Sequence, residues 1–440
     1  MTVLHFDQAI DKAVELLRRH SSILPQGKIV IIRDLYGRLR VAFEGNQTKE
    51  TTNAIAPLLK EWKVELAHYA PSTEKSTVFW RNELLDPDAV FNSNDERELN
   101  SSPLIFLLDR QGSGLDWQRP PEQEFKIPVL AFYGLKGGVG RSTALSALAY
   151  SLGEKGKRVL LLDLDLESPG ISETLLPANA RPDFGIVDWL VEDAVGNADD
   201  TLLREMSGSS PISNIGEVRV VPAYGAKTKF YLPKLSRAYL DTQSRTGPEH
   251  FGNRLRRLTT KLIEEYKPDV VLIDSRAGLH DIAAAVITHL ATVALLFATD
   301  SRQTWEGYHL LFTHWQSLPI SSLQAIRNKL KIVASMIPEE NGAGYFENLI
   351  ERSWNTFLDT IYDEITPHIE NGLAANGDTF SFDKNDDSGP HYPIRIFRHR
   401  AYVEFDPIAD PDLMRSEKLP QAFGEFIAEI SRLAGINHDT

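Results

Sequence analysis

Residues 129–143, Val-Leu-Ala-Phe-Tyr-Gly-Leu-Lys-Gly-Gly-Val-Gly-Arg-Ser-Thr, constrain this chain more than any other stretch. The apolar run Val129–Tyr133 reads as a buried strand, and Ala144–Leu152 reads as a helix. Between them lies a glycine-rich turn. Glycines in that setting let backbone N–H groups close around anionic oxygens, with the positive end of the helix dipole aimed at the same point. The stretch therefore predicts a phosphate cradle for a nucleoside triphosphate.

Repeated apolar strands and helices extend the pattern. Candidate strands are Val129–Tyr133, Arg158–Leu162, Val218–Pro222, Val270–Ile273, Val293–Phe297, Ile332–Met336 and Ile394–Phe397. Short β-branched runs alternating with helices imply an α/β fold: a mostly parallel, doubly wound sheet with helices on both faces. Ligands in such sheets sit beyond the C-terminal strand ends, where the glycine loop lies. Ahead of this region, residues 1–110 read as a smaller α+β domain. It would hold a helix with Phe6, Ile10, Ala13, Val14 and Leu17 on one face, a hairpin (Lys28–Arg33 and Arg38–Phe43), and a strand at Pro103–Asp109. Ala54–Trp62 contains Pro57, so a helix there starts or kinks at that residue. Asn92–Ser102 reads as a polar loop, residues 111–127 as a linker, and 128–440 as the nucleotide domain. An insertion at about 339–392 would carry a helical segment, Tyr345–Ile365.

Composition narrows the chemistry. The chain has 440 residues and no cysteine, which excludes disulfides, thiol catalysis and cysteine-held metals. A formal net charge of −14 opposes non-specific binding to nucleic acid, so such a partner is disfavoured without being excluded. Met1–His20 lacks the pattern of a secretory signal, no apolar run reaches membrane-spanning length, and the final helix, Pro420–Leu433, has an acidic rather than basic polar face. The expectation is a cytoplasmic protein without membrane attachment. Arg395, Arg398, His399 and Arg400 read best as a solvated strand edge with internal salt bridges, and Trp189 and Trp305 as packing residues, Trp305 alternatively flanking a base.

A triphosphate needs cationic neutralisation, Mg²⁺ held by hard oxygens, and a carboxylate that orients water. The cradle would consist of Gly137, Gly138, Val139, Gly140, Arg141, Ser142 and Thr143. Ser142 is the natural direct Mg²⁺ ligand, with Asp163 and Asp274 at strand ends reaching the metal's water shell. Asp165 is the candidate for positioning water, and Gly278 can turn a backbone N–H toward the terminal phosphate. Against G-x-x-x-x-G-K-[ST], Leu135 replaces the first glycine and Arg141 the lysine. Arginine keeps the charge and can fork onto two oxygens, so ATP binding is expected to survive while hydrolysis is slow or needs an activator.

An early Lys136 followed by Gly-Gly-x-Gly resembles the deviant phosphate loop of the ParA/MinD family of ATPases. Lys157-Arg-Val-Leu-Leu-Leu-Asp-Leu-Asp165, Gly185-Ile-Val-Asp-Trp-Leu190, Val218–Pro222, Tyr266–Asp274 with Ser275-Arg-Ala-Gly278, and Trp305-Glu-Gly307 resemble further landmarks in order. The resemblance covers roughly residues 128–338, and 393–434 more loosely. It implies a homodimer formed on ATP binding, with Lys136 reaching the partner's nucleotide as a catalytic residue beside Asp165 and Arg141. It implies a switch acting on an unidentified protein partner through the N-terminal domain. The alternatives are a non-hydrolysing nucleotide sensor, in a bacterial regulatory or antiviral system, and DNA partitioning.

Overall fold

The computed structural model describes residues 4–73, 76–93, 96–111, 114–118, 124–244, 247–364, 379–403 and 405–436. Contacts divide the chain into two units, Met1–Ser113 and Gly114–Thr440.

The first unit is built on a mixed sheet of β1 (Ile29–Arg33), β2 (Leu39–Phe43), β3 (Val78–Trp80), β4 (Glu96–Ser101) and β5 (Leu104–Asp109), in the order β3-β2-β1-β5-β4. β1 and β2 form the expected antiparallel hairpin, and β5 runs parallel to β1. The expected loop at Asn92–Ser102 is instead largely strand: β4 pairs antiparallel with β5. Its residues are mostly polar and half exposed because it is an edge strand, so no apolar alternation marks it. The helix Phe6–Arg19 buries Ala9, Ala13, Leu16 and Leu17, with Ile10 and Val14 packed against the same core, so the expected face holds except for Phe6, which is 47% exposed. The Phe6 ring lies under the Arg33 guanidinium, 4.2 Å from its centroid, so one of its faces meets a cation instead of core. Pro57 falls in the first turn of Ala56–Glu65, where its missing N–H costs nothing.

The second unit contains an eight-stranded sheet. Its strands are β6 (Val129–Gly134), β7 (Val159–Leu164), β8 (Gly208–Ser210), β9 (Val218–Val221), then, after a small ribbon of β10 (Thr242–Ser244) and β11 (Gly247–Glu249), β12 (Val270–Ser275), β13 (Val293–Ala298), β14 (Leu330–Ile337) and β15 (Ile394–Phe397). The order is β15-β14-β13-β6-β12-β7-β9-β8, parallel except for β8. The period-2 alternation of side chains sorts each central strand onto two cores. Val129, Ala131, Tyr133, Leu160, Leu162, Val271 and Ile273 face one, with the helices Ile186–Ala194, Phe251–Tyr266, Arg302–Gln316 and Gly342–Leu358. Leu130, Phe132, Val159, Leu161, Val270 and Leu272 face the other, with Arg141–Glu154 and Lys418–Leu433. Covering both faces is why these strands read as unbroken apolar runs.

Two expectations are refined here. Leu115–Trp117, placed in the linker, is a short helical turn whose Trp117 is buried in the second unit's core. The helix expected at Tyr345–Ile365 is Gly342–Leu358, and it lies between the adjacent strands β14 and β15. Residues 365–378 of the expected insertion lie outside the described residues. Among the described residues, no helix is long and apolar enough to cross a membrane.

Candidate functional site

β6 ends at Gly134 and the helix Arg141–Glu154 begins seven residues on, so the glycine loop bridges a central strand end and a helix N-terminus. Gly138 (φ 73°) and Gly140 (φ 74°) adopt the left-handed conformation that side chains disfavour. A Cβ on Gly137 or Gly138 would meet nothing within 4 Å, whereas one on Gly140 would lie 3.4 Å from the Met336 thioether. The loop is thus fixed on one side against β14, where Ser335 Oγ donates to the Val139 carbonyl, and free on the other. Thr143, one turn into the helix, is half-buried.

The sequence-predicted carboxylates converge on this loop from neighbouring strands. In the sheet, Asp274 of β12 stands opposite Asp163 of β7. Arg141 is buried; its Nε donates to Asp274 Oδ1 at 2.9 Å and its Nη2 to Asp165 Oδ2 at 3.4 Å. Ser142 Oγ donates to Asp274 Oδ2 at 2.7 Å. The loop arginine, expected to fork onto phosphate, therefore forks onto two carboxylates. A buried guanidinium is stabilised by such anionic partners, since its charge is costly to bury unpaired.

Asp163 is fully buried, and its Oδ2 accepts from Ser172 Oγ (2.7 Å) and N (3.3 Å). Burial, then the neighbouring Asp274 charge, pushes its pKa up to about 7. Asp165 is raised to about 6, chiefly by burial, against the opposing pull of Arg141. Three buried polar atoms at the site lack a hydrogen-bond partner: Arg141 Nη1, Asp163 Oδ1 and Asp165 Oδ1. One unused cationic donor and two unused hard oxygens are the donor set that a phosphate with a hydrated Mg²⁺ would complete. Among the described residues, no group of three or more His, Cys, Asp or Glu could hold a metal by itself.

Gly278 (φ 85°) sits in the loop after β12, and its N–H donates to the Gly134 carbonyl at 3.0 Å. Lys136 is exposed and its Nζ donates to Gln303 Oε1 of the same chain, at the start of Arg302–Gln316. Trp305 is buried against Tyr308 and contributes to the core, not to a base platform. Arg395 pairs with Glu425 at 3.2 Å and lies over the Phe346 ring, in keeping with a strand edge satisfied by internal salt bridges.

Sequence reasoning missed a second cluster beside the first. Glu167, two residues beyond Asp165, holds Arg276 Nη1 at 2.5 Å and His280 Nε2 at 3.3 Å, and accepts from the Tyr239 hydroxyl. Arg276 stood in plain view within Asp274-Ser-Arg-Ala-Gly278, but its partner lies more than a hundred residues earlier, and nothing local announces the pair.

A family model described as an AAA domain matches residues 127–223, from β6 through β9. The chain is 25% identical over 191 residues to the antiactivator FleN of Pseudomonas aeruginosa, covering 42% of this chain and 55% of that protein. It is 32% identical over 95 residues to the chlorophyllide reductase 35.5 kDa chain of Cereibacter sphaeroides, covering 20% and 28% respectively. The chain thus spans about half the length of the first relative and about a quarter of the second. A ParA family ATPase structure from Chlorobium tepidum TLS aligns at 15% identity with a TM-score of 0.44, covering 68% of this chain and 98% of that one. The phosphate loop, the ordered carboxylates and the AAA-domain match all fall on one parallel sheet, so the likeness of the second unit to these proteins centres on the strands that carry the glycine loop.

Proposed function

We propose that the second unit binds Mg–ATP at the glycine loop and works as a nucleotide-dependent dimerisation switch. The observation that carries this reading is the set of unpartnered buried atoms, Arg141 Nη1, Asp163 Oδ1 and Asp165 Oδ1, grouped around a loop with open glycine faces. Backbone N–H groups of Gly137–Gly140 and the N-terminus of Arg141–Glu154 would bind phosphate oxygens. Arg141 would add charge through its free Nη1 while its Nε stays on Asp274. Ser142, with Asp163 and Asp274, would hold Mg²⁺, which supplies charge neutralisation on the phosphates. Asp165 would orient the attacking water and accept its proton, a task suited to a carboxyl whose pKa is lifted toward neutrality.

Arg141 is paired with Asp274 and Asp165. Arginine in the loop's lysine position keeps the charge but not the lysine's geometry, and this favours a non-hydrolysing nucleotide sensor as the second reading. Lys136, exposed at the loop edge, is the residue that would cross to a second copy's nucleotide, leaving Gln303 to do so. The first unit would then engage a protein partner in a manner set by nucleotide state.

The test is light scattering after size exclusion, with and without Mg–ATP, using Asp165→Ala to hold the bound state. The expected result is a monomer that doubles its mass only with ATP, and fails to do so with Lys136→Ala. A mass indifferent to nucleotide would refute the switch.

A further inference from the structure

The loop Asp274–Gly278 is pinned to the phosphate loop at both ends. Asp274 receives hydrogen bonds from Arg141 and Ser142, and the Gly278 N–H donates to the Gly134 carbonyl. Arg276 lies midway between these two anchors. Its guanidinium is not spent on the core: the side chain is about a third exposed and is drawn aside by the ion pair with Glu167. Its charge nevertheless reaches the site, where it favours the ionised form of Asp165.

Glu167 is unusually well equipped to hold a cation. Tyr239 donates its hydroxyl to Glu167 Oε1, and His280 Nε2 approaches the same oxygen. His280 Nδ1 accepts from the Ile282 N–H, so the neutral ring carries its proton on Nε2, facing Glu167. The Tyr231 hydroxyl donates to the adjacent Leu166 carbonyl at 2.5 Å, which fixes the backbone from which Glu167 projects. Glu167 therefore stays in place whether or not Arg276 is bound to it: its remaining partners are Tyr239, just past the helix Tyr231–Ala238, and His280.

We propose that Arg276 reads the terminal phosphate of a nucleoside triphosphate in cis, and that Glu167 is the parking site that holds it aside until that phosphate arrives. This rests on the nucleotide-binding reading above. A dianionic terminal phosphate offers a planar guanidinium more charge and a bidentate match than one shared carboxylate does, so the exchange runs toward phosphate when it is present. A diphosphate would leave Arg276 on Glu167. The loop that carries Gly278 would then report which nucleotide is bound, through the side chain at its midpoint.

The experiment is calorimetric titration of the full chain with Mg–ATP and with Mg–ADP, for the wild type, Arg276→Ala, Arg276→Lys, Glu167→Gln and the double variant Glu167→Gln/Arg276→Ala. Losing one charge-assisted contact should weaken Mg–ATP about tenfold to a hundredfold in Arg276→Ala and leave Mg–ADP unchanged. Glu167→Gln, which keeps an acceptor for Tyr239, should widen the preference for ATP over ADP, and should do nothing further once Arg276 is alanine. Arg276→Lys retains the charge and guards against a folding defect; it should fall between wild type and alanine. Equal weakening of both nucleotides by Arg276→Ala, or a loss of ATP affinity in Glu167→Gln, would overturn the proposal and leave the pair as a loop brace. Failure of the wild type to bind either nucleotide would instead overturn the nucleotide reading itself.

Discussion

Replacing Asp163 by asparagine should make the nucleotide-free protein more stable, and more so at high pH. Asp163 is fully buried with one oxygen unpartnered, and its pKa rises from 3.8 to about 7. Between those values the folded chain holds a proton that the unfolded chain has released, so folding stability falls as pH rises through that window. At pH 8 the group is ionised in both states, and its burial costs on the order of 4 kcal/mol, the gap of about three pKa units taken at about 1.4 kcal/mol each. At pH 5 the folded carboxyl is neutral, and only the distance from pH 5 down to 3.8 counts, a cost on the order of 2 kcal/mol. Asparagine escapes both costs, and its carbonyl can still accept from Ser172 Oγ and N. The assay is urea denaturation at 25 °C in chelator, at pH 5 and pH 8, followed by tryptophan emission. The expected gain of Asp163→Asn over wild type is larger at pH 8 by about 2–3 kcal/mol, the difference of the two costs. The same variant should lose the extra stability that Mg–ATP gives the wild type. An equal gain at both pH values, or a loss at pH 8, would refute the claim that this carboxyl is held in an environment hostile to its charge.

Arg141→Ala should destabilise the free protein by about 3–5 kcal/mol, because it strands Asp274 and Asp165 in the interior without a cation; denaturation by urea checks this. Gly185→Ala should be poorly tolerated, since a Cβ there would lie 2.5 Å from the Tyr224 backbone; a soluble variant with wild-type denaturation would refute that packing.

Much of the second unit was legible because its strands are buried on both faces, so Val129–Tyr133 and Val270–Ile273 declare themselves without any alternation. Edge strands carry no such signal. Gly208–Ser210 has no apolar residue, and Glu96–Ser101 is specified by its antiparallel partner β5. On the helix Phe6–Arg19 the expected face holds for Ile10, Ala13, Val14 and Leu17, and only Phe6, which looks like core, packs under Arg33 instead. At the site, the spacing located Arg141, Ser142, Asp163, Asp165 and Asp274, but partnership is set by the sheet order. That order puts β12 between β6 and β7 and so brings Asp274 onto Arg141 and Ser142. The Glu167 cluster draws on residues far apart in the chain, which meet only once the parallel sheet aligns their strand ends.

The central claim is that Arg141, Asp163 and Asp165 bind a metal-bound triphosphate through the atoms that no protein group satisfies. Titration of the wild-type chain with ATP, in Mg²⁺ and again in chelator, tests it most directly. Saturable binding of one nucleotide per chain that weakens sharply without Mg²⁺ is the predicted result. No saturable binding, or binding indifferent to the metal, would contradict it.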